Sequence, residues 1–302
     1  MQGPGAASPT IPAPAPLLPS GPARRISNRE RMFRQALRKP MMLGGIGVVL
    51  FWVFLATVSP RIAPYDPIDQ DVMHRLGAPS GAHWLGVDEL GRDVFSRVLY
   101  GGRVSLPVAA IVVAVATIFG TLFGGIAGFA GGWVDALAMR LVDVVLAFPS
   151  LILAMAIAAA LGPSIQNSML ALLLVWWPPY ARQARGQALA LKTREYVIAA
   201  RGLGLPEFFI LLRHVLPNSF APILVMMTMD FGTAIIITAA LSFLGLGAVP
   251  PTPEWGAMVA EGRELIQQWW ISTFPGVAIF TVAMACNFIG DGLRDIVDPR
   301  LR

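Results

Sequence analysis

The sequence predicts an all-α integral membrane protein with six transmembrane helices. Only 14% of its 302 residues are charged and 55% are hydrophobic, with a mean hydropathy of +0.63. A soluble domain has about 25% charged residues, so this chain is unusually poor in charge. Its apolar residues are gathered into separate runs, and a helix that crosses a bilayer needs about 20 of them. Together these observations indicate several membrane-spanning helices and no large soluble domain.

The N-terminal region is predicted in two parts. Residues 1–22 are rich in Pro, Ala, Gly and Ser, a composition typical of a disordered tail. Residues 23–103 contain a basic stretch from Arg24 to Lys39, a first span at residues 41–59 closed by Pro60, and a polar loop. We interpret the basic stretch as the cytoplasmic anchor of the first span, with a surface helix on anionic lipid as the alternative.

A transmembrane core is predicted over residues 104–292, followed by a tail at residues 293–302 on the cytoplasmic side. The fourth of its apolar runs is short for a span unless it recruits neighbouring residues. The five predicted spans of this core cover residues 104–130, 141–161, 168–180, 220–243 and 271–289.

Arginine distribution predicts the orientation of these spans. The segment before the first span and residues 181–213 are both rich in Arg, which places them on the cytoplasmic side together with both termini. The polar loops at residues 60–103 and 244–270 then face outward, although the first of them also contains several Arg residues balanced by acidic ones. The net charge of +5 is therefore attributed to membrane orientation and not to binding of nucleic acid.

Glycine recurs every four residues in the second span, at Gly120, Gly124 and Gly128. Residues four apart share one face of a helix, and small side chains let another backbone approach closely. This pattern predicts tight helix packing, either within the subunit or against another subunit.

Ionisable residues within the apolar runs are candidate functional groups. Asp230 lies in the fifth span, where a lone carboxylate costs about 2.5–3.5 kcal/mol, so it should face a wet cavity or a polar partner. It could contact substrate or relay protons, or it could lie near the inner end of the span and reach water. Arg140 and Asp143 are three residues apart, and this spacing predicts a structural ion pair on one helix face.

A second candidate site lies in the outward loop at residues 244–270. Trp255 and Glu261, together with Glu254 and Arg263, are interpreted as a docking or gating element. The alternative is a re-entrant or interfacial segment held by ordinary aromatic anchoring.

The polar segment at residues 195–218 interrupts two apolar runs and predicts a helix–turn–helix at the cytoplasmic surface. Gly202 and Gly204 should end the first helix, because glycine is favoured where the chain turns through positive φ. Pro206 suits the start of the second helix, which Pro217 should end. Arginine and aromatic side chains on its exposed face are typical anchors of a protein interface.

This segment resembles the EAA loop found in permease subunits of bacterial ABC importers. The resemblance rests on the spacing of Ala199, Ala200, Gly204, Leu216 and Pro217. Outside residues 1–22, further blocks in the same order are similar to the second permease of dipeptide and oligopeptide importers: HWLGVDELGRDVFSRVLYGGRVSL, LSFLGLG, PPTPEWGAMVAEGR and DGLRDIVDPR.

The resemblance implies a type I ABC importer permease fold in the bacterial inner membrane, with cytoplasmic coupling helices that dock on an ATPase. Ile198 occupies the position of the family's glutamate, so that carboxylate's role does not carry over; Glu195, on nearly the same helix face, is a candidate substitute. The residues implied in coupling are Glu195, Ala199, Ala200, Arg201, Gly204, Pro206, Leu216 and Pro217.

The chain carries no ATP-binding motif of its own. A P-loop requires Gly-Lys-Ser/Thr, and the only lysines, Lys39 and Lys192, follow Arg38 and Leu191. We therefore expect no enzymatic activity and no cofactor in this chain, with ATP and Mg²⁺ bound by partners. The partners implied are a second permease in a heterodimer, two ATP-binding subunits and an extracytoplasmic binding protein.

Two kinds of alternative remain open. Within the importer class, di- and oligopeptides are the expected substrates, with nickel or glutathione as alternatives. In a different class, a proton-coupled secondary carrier would use Asp230 directly, although no convincing internal repeat of spans is present. A membrane scaffold or receptor subunit would leave the matching blocks unexplained.

Overall fold

The computed structural model describes residues 39–297, which form helices joined by irregular loops. A π turn at Leu211–Val215 connects two helices without a break, and 3₁₀ turns occur at Val72–His74 and Ile266–Gln268. The helices are α1 Pro40–Ile62, α2 Val94–Ala130, α3 Gly132–Leu146, α4 Ser150–Leu161, α5 Ile165–Leu191, α6 Glu195–Gly202, α7 Glu207–Ile210, α8 Leu216–Phe243, α9 Trp255–Glu261 and α10 Trp270–Val297. The predictions for the Pro-rich tail, the basic stretch and the last five residues lie outside the described part.

Four helical stretches of the described chain are long and apolar enough to cross a membrane. They are α1, α2, the continuous stretch Glu207–Phe243 and α10. Helices α3 and α4 pass the same test together but are bent by 82° relative to each other, so the number rises to five if this pair is one span. By length and composition, the structure therefore supports a multi-pass helical membrane protein.

The predicted fourth span is shorter than the helix that contains it. Residues 168–180 lie inside α5, which has 27 residues. The helix continues past Tyr180 because the sequence that follows is rich in Ala, Gln, Leu and Arg, all good helix formers. Polar residues in this extension lower its mean hydropathy, which explains why an apolar run alone locates only part of the helix.

Two other predicted spans also differ from the observed helices. The second was predicted to begin at Val104, but α2 begins at Val94, where the Asp93 carboxylate accepts a hydrogen bond from the Ser96 N–H at 2.8 Å. The third was predicted as one helix over residues 141–161. The chain breaks before Pro149, because the residue that precedes a proline is disfavoured in the helical conformation.

The predicted helix end in the polar segment was wrong. Pro217 does not end a helix; it lies in the first turn of α8, just after the π turn. A proline is tolerated there because the first N–H groups of a helix need no intrahelical acceptor. The tail predicted from residue 293 is still helical as far as Val297.

Helices α2 and α5 pack along the predicted glycine face. A side chain added at Gly120 would meet the Trp177 carbonyl, and one added at Gly128 would meet the Arg185 carbonyl at 2.9 Å. At Gly124 the backbone of α5 is closer still. This glycine face therefore lies against a helix of the same chain. Because residue numbers rise together along both helices, α2 and α5 run parallel.

Helices α8 and α10 run antiparallel. Gly232 faces Ala283, whereas Gly290 faces Met229, so numbers rise along one helix as they fall along the other. The start of α8 and the end of α10 consequently lie at the same end of the bundle.

Helices α1 and α10 are also antiparallel, since Gly45 faces Ala285 and Gly292 faces Met42. The start of α1 therefore lies beside the end of α10. Helix α2 has 37 residues and is about 55 Å long, so its two ends define two opposite ends of the molecule. The loop at residues 63–93 lies at the first of these ends, and α6 and α7 pack near Phe129 at the second.

Candidate functional site

The turn between α6 and α7 is built around Gly204, as the sequence predicts. Its φ of +77° is in the left-handed region that favours glycine. The Leu205 N–H donates to the Ala200 carbonyl at 3.2 Å and the Gly204 N–H to the Arg201 carbonyl at 2.9 Å. This pair of bonds is a Schellman motif, which satisfies carbonyls at the end of a helix. Pro206 then caps α7 in an extended conformation.

Arg201 ties the two short helices together. Its guanidinium donates to the two carboxylate oxygens of Glu207 at 2.8 and 3.1 Å. The same group lies over the Phe129 ring, 5.3 Å from the centroid, at the end of α2. Arg201 is nevertheless exposed, and its role in coupling stays a prediction. Its charged group contacts both α7 and α2.

One side of this segment is buried against the bundle. Val197 and Ala200 from α6 pack with Ile210 from α7, and the cluster also contains Phe129 and Ala188. The two alanines of the predicted motif therefore lie on different sides of α6, because Ala200 is buried while Ala199 is exposed. This apolar contact packs the segment against α2 and α5.

The other side of the segment is exposed and apolar. Leu203 is 82% exposed, Phe208 67% and Ile198 56%. We call these three residues the docking face. Glu195, expected as a substitute for the missing carboxylate, is also exposed on α6. Large exposed apolar patches often mark interaction sites, so these side chains are candidate contacts for a partner. Of the remaining predicted coupling residues, Leu216 is half-buried and Pro217 exposed at the start of α8.

At the opposite end of the molecule, Glu261 joins a buried ionic cluster. Its carboxylate accepts from Arg92 at 3.0 Å and from Arg97 at 3.1 Å. Asp88 completes the cluster and lies 2.6 Å from the Arg92 Nε. Two cations and two anions balance, which buried charges require. We call these four residues the ionic cluster; it fixes the loop before α2 against α9.

Trp255 and Glu254 hold α9 inside the bundle. Trp255 is fully buried, its ring lies against Gly101, and its Nε1 donates to the Val98 carbonyl at 2.9 Å. The Glu254 carboxylate accepts from Gly256 and Ala257 N–H groups at the start of α9 and from the Ser105 hydroxyl at 3.0 Å. Trp255 is therefore an internal anchor and not an exposed docking residue. A gating role for Glu261 stays a prediction.

Asp230 is half-buried in α8 and lines a cleft of about 530 Å³. Gln183 from α5 and Arg294 from α10 line the same cleft, together with apolar side chains of α8. Trp176 and Tyr180 of α5 lie beside its carboxylate. Asp230 therefore faces a cavity and also has polar neighbours, the two surroundings predicted for a carboxylate within a span.

The predicted pairing of Arg140 with Asp143 was wrong. Asp143 lies 2.8 Å from Arg182 of α5. One turn along, Arg185 makes two hydrogen bonds to Asp135 at 2.6 and 2.7 Å. Both pairs join α3 to α5, and contacts between helices compete with the weak pairing available along one helix.

No group of three or more His, Cys, Asp or Glu side chains within residues 39–297 is placed to hold a metal ion. The two histidines of the loop at residues 63–93 each lie beside an aspartate. His74 lies 2.7 Å from Asp71, and this hydrogen bond holds the pKa of the Asp71 carboxyl below its usual value. His83 lies 2.9 Å from Asp93, the residue that caps α2.

The fold defines a multi-pass helical membrane protein with exposed apolar side chains on two short helices at one end. Residues 120–302 match the family described as binding-protein-dependent transport system inner membrane component. Residues 27–79 match the N-terminal TM domain of oligopeptide transport permease C. The chain belongs to this family of permease subunits of ABC importers.

Individual relatives are similar over most of their length. The probable D,D-dipeptide transport system permease protein DdpC of Escherichia coli is 45% identical over 86% of this chain and 88% of its own. The dipeptide transport system permease protein DppC of Alkalihalophilus pseudofirmus is 41% identical, with 92% and 91% covered. The glutathione transport system permease protein GsiD of Escherichia coli is 43% identical, with 89% and 90% covered. These matches confirm the resemblance drawn from the sequence blocks.

Proposed function

We propose that this chain forms half of the transmembrane pathway of an importer for short peptides and receives its driving force through the docking face. The observation that carries the proposal is the α6–Gly204–α7 segment. It presents exposed apolar side chains at one end of the molecule, while its other side is packed against α2 and α5. A subunit that binds Leu203 and Phe208 can therefore move the bundle.

The proposed topology has six crossings: α1, α2, the bent pair α3–α4, α5, α8 and α10. The parallel arrangement of α2 and α5 supports it, because the chain must cross back once between two parallel spans. The antiparallel contacts of α10 with α1 and with α8 fit the same scheme. Six crossings place both termini on the side of α6 and α7, which the Arg-rich residues 181–213 assign to the cytoplasm of the bacterial inner membrane.

The proposed mechanism is alternating access driven by partners. Two ATP-binding subunits, which hold ATP and Mg²⁺, close and press on the docking faces of this chain and of a second, different permease. An extracytoplasmic binding protein delivers peptide at the end that contains the ionic cluster. Each of these ligands can shift the equilibrium only if it binds the inward- and outward-facing states with different affinity. No catalytic group is assigned to this chain.

Short peptides are the proposed cargo. Two of the relatives described above are named for dipeptide transport and one for glutathione, which is itself a peptide. The names of all three relatives favour a pathway for peptides over one for nickel. Glutathione remains the second candidate substrate, because its relative is as similar as the dipeptide permeases.

The direct test is to extract the tagged chain gently from its native membrane and to identify the bound proteins by mass spectrometry. The proposal predicts a second permease and ATPases with P-loops. The co-purified complex, reconstituted in proteoliposomes with its binding protein, should take up radiolabelled dipeptide only when ATP is supplied. Recovery of the chain alone, with uptake driven by a proton gradient, would establish a secondary carrier and contradict the proposal.

A further inference from the structure

We propose that the cleft lined by Gln183, Asp230 and Arg294 binds the two charged termini of a dipeptide on its way through the membrane. The inference rests on the proposed function and names a contact site for the cargo within this chain. In it, Asp230 binds the peptide's ammonium group, Arg294 binds its carboxylate, and Gln183 hydrogen-bonds its amide.

The cleft has the size and position of a pathway site. Its volume of about 530 Å³ lies within the range of about 300–1,000 Å³ that is typical of small-molecule sites. Pro222 near the start of α8 and Val297 at the end of α10 both line it. Because these two helix ends lie at the end of the bundle that carries α6 and α7, the cleft opens on the side that we assign to the cytoplasm.

Asp230 is the group that most needs a ligand. Its polar neighbours on α5, Trp176 and Tyr180, carry no charge. Within the described part of the chain no cation forms an ion pair with Asp230. A carboxylate within a membrane span is expected to face a cavity or a partner of opposite charge. The ammonium group of a peptide supplies that charge when it occupies the cleft.

The two charges lie on different helices that line the same cleft. Gly290 of α10 faces Met229 of α8 and the two helices are antiparallel, so the backbone of Arg294 lies about 7.5 Å from that of Asp230 along the bundle axis. The cleft therefore presents an acidic group and a basic group at different depths, as the two ends of a short peptide require. Arginine is also the cation best suited to a carboxylate, because its planar group donates two parallel hydrogen bonds.

Cysteine labelling of the assembled importer tests the site directly. The native Cys286 is replaced by Ala, and a probe is placed in the cleft by Val225→Cys, since Val225 lines it. Inside-out vesicles expose the cleft to a maleimide in the presence of Ala-Ala, N-acetyl-Ala-Ala or Ala-Ala amide. A probe at Thr193→Cys, an exposed position outside both the cleft and the docking face, controls for general effects of the peptides on labelling.

We expect Ala-Ala to slow labelling of the Val225→Cys probe about fivefold at a concentration of about four times its Kd, since the free fraction falls as 1/(1 + [L]/Kd). N-acetyl-Ala-Ala should protect poorly because it lacks the ammonium group. Asp230→Asn should abolish the preference for Ala-Ala over its acetylated form, and Arg294→Gln should abolish the preference over the amide. The unprotected labelling rate should stay the same in both variants, which shows that the cleft is intact.

The site would be overturned if Ala-Ala gave no protection up to its solubility limit, or if Asp230→Asn kept the same preference. ATP-driven uptake of Ala-Ala by the same complex separates this failure from failure of the proposed function. Uptake without protection contradicts the cleft site alone. Absence of ATP-driven uptake for any peptide, with glutathione included, contradicts the proposed function.

Discussion

Arg201 donates two hydrogen bonds to Glu207 across the turn at Gly204, at 2.8 and 3.1 Å, and so links the short helices α6 and α7. Both side chains are partly exposed, and exposed ion pairs contribute little to stability. The pair therefore matters for the angle between α6 and α7 more than for folding. In the proposed function, that angle decides where Leu203 and Phe208 meet the ATPase.

Charge reversal tests this positional role. Arg201→Glu should lower ATP-driven uptake several-fold, because it places two carboxylates opposite each other, while the amount of complex in the membrane stays nearly unchanged. The double variant with Glu207→Arg should recover much of the uptake, since it restores an ion pair with reversed polarity. Uptake is measured in vesicles, and complex amount by immunoblot. Loss of the complex in the single variant would instead assign Arg201 to folding.

Gly204 and Gly202 form a matched pair for testing whether the left-handed backbone conformation at the turn is needed. An added Cβ meets nothing within 4 Å at either position, but only Gly204 has positive φ. Gly204→Ala should therefore strain the turn by about 1–2 kcal/mol, and coupling of ATP hydrolysis to uptake should fall. Gly202→Ala, at the end of α6, should leave coupling intact. Equal effects of the two substitutions would contradict a role for the left-handed turn.

The packing of α2 on α5 predicts that Gly124 tolerates no side chain. Gly124→Ala should destabilise the complex by about 1–3 kcal/mol, because the new Cβ meets the α5 backbone, which cannot give way as a side chain can. Gly186→Ala is the control, since its Cβ would meet nothing within 4 Å in α5. Thermal unfolding of the detergent-solubilised complex measures both. A Gly124→Ala complex as stable as wild type would show that the helices are farther apart than described.

The ionic cluster predicts a large difference in stability between substitutions of two neighbouring glutamates. Glu261→Gln removes one anion from a cluster that contains two buried arginines, and breaking such a pair costs about 3–5 kcal/mol. Glu264→Gln removes only an exposed contact to Arg263 and should be nearly neutral. Differential scanning fluorimetry of the complex compares them. If both variants melt at the wild-type temperature, the cluster does not hold α9 in place.

Local sequence patterns predicted those features that depend on neighbouring residues. The four-residue spacing of Gly120, Gly124 and Gly128 predicted a packed face, and Gly204 predicted the turn, because each depends on helix periodicity or on one backbone conformation. Prolines give a less certain local signal. The chain breaks before Pro149, which was predicted to lie inside one span, whereas Pro60, predicted to close the first span, lies inside α1, which continues to Ile62.

Contacts between distant segments could not be predicted in the same way. Arg97 and Glu261 are 164 positions apart, and nothing in either local sequence indicates the other. Asp143 had an apparent partner three residues away, but the structure pairs it with Arg182 on another helix. A balance of acidic and basic residues at positions 60–103 likewise does not indicate which of them pair in the buried cluster.

The central claim is that the docking face meets an ATPase, and site-specific photo-cross-linking in intact membranes tests it most directly. A photoreactive residue at Leu203, which is 82% exposed, should capture a protein whose peptides contain a P-loop. The same residue at Met73, which is 90% exposed in the loop at the other end of the bundle, should not. Capture of the ATPase from Leu203 alone is the predicted result. Capture from Met73, or no ATPase from Leu203 while ATP-driven uptake persists, would contradict the account.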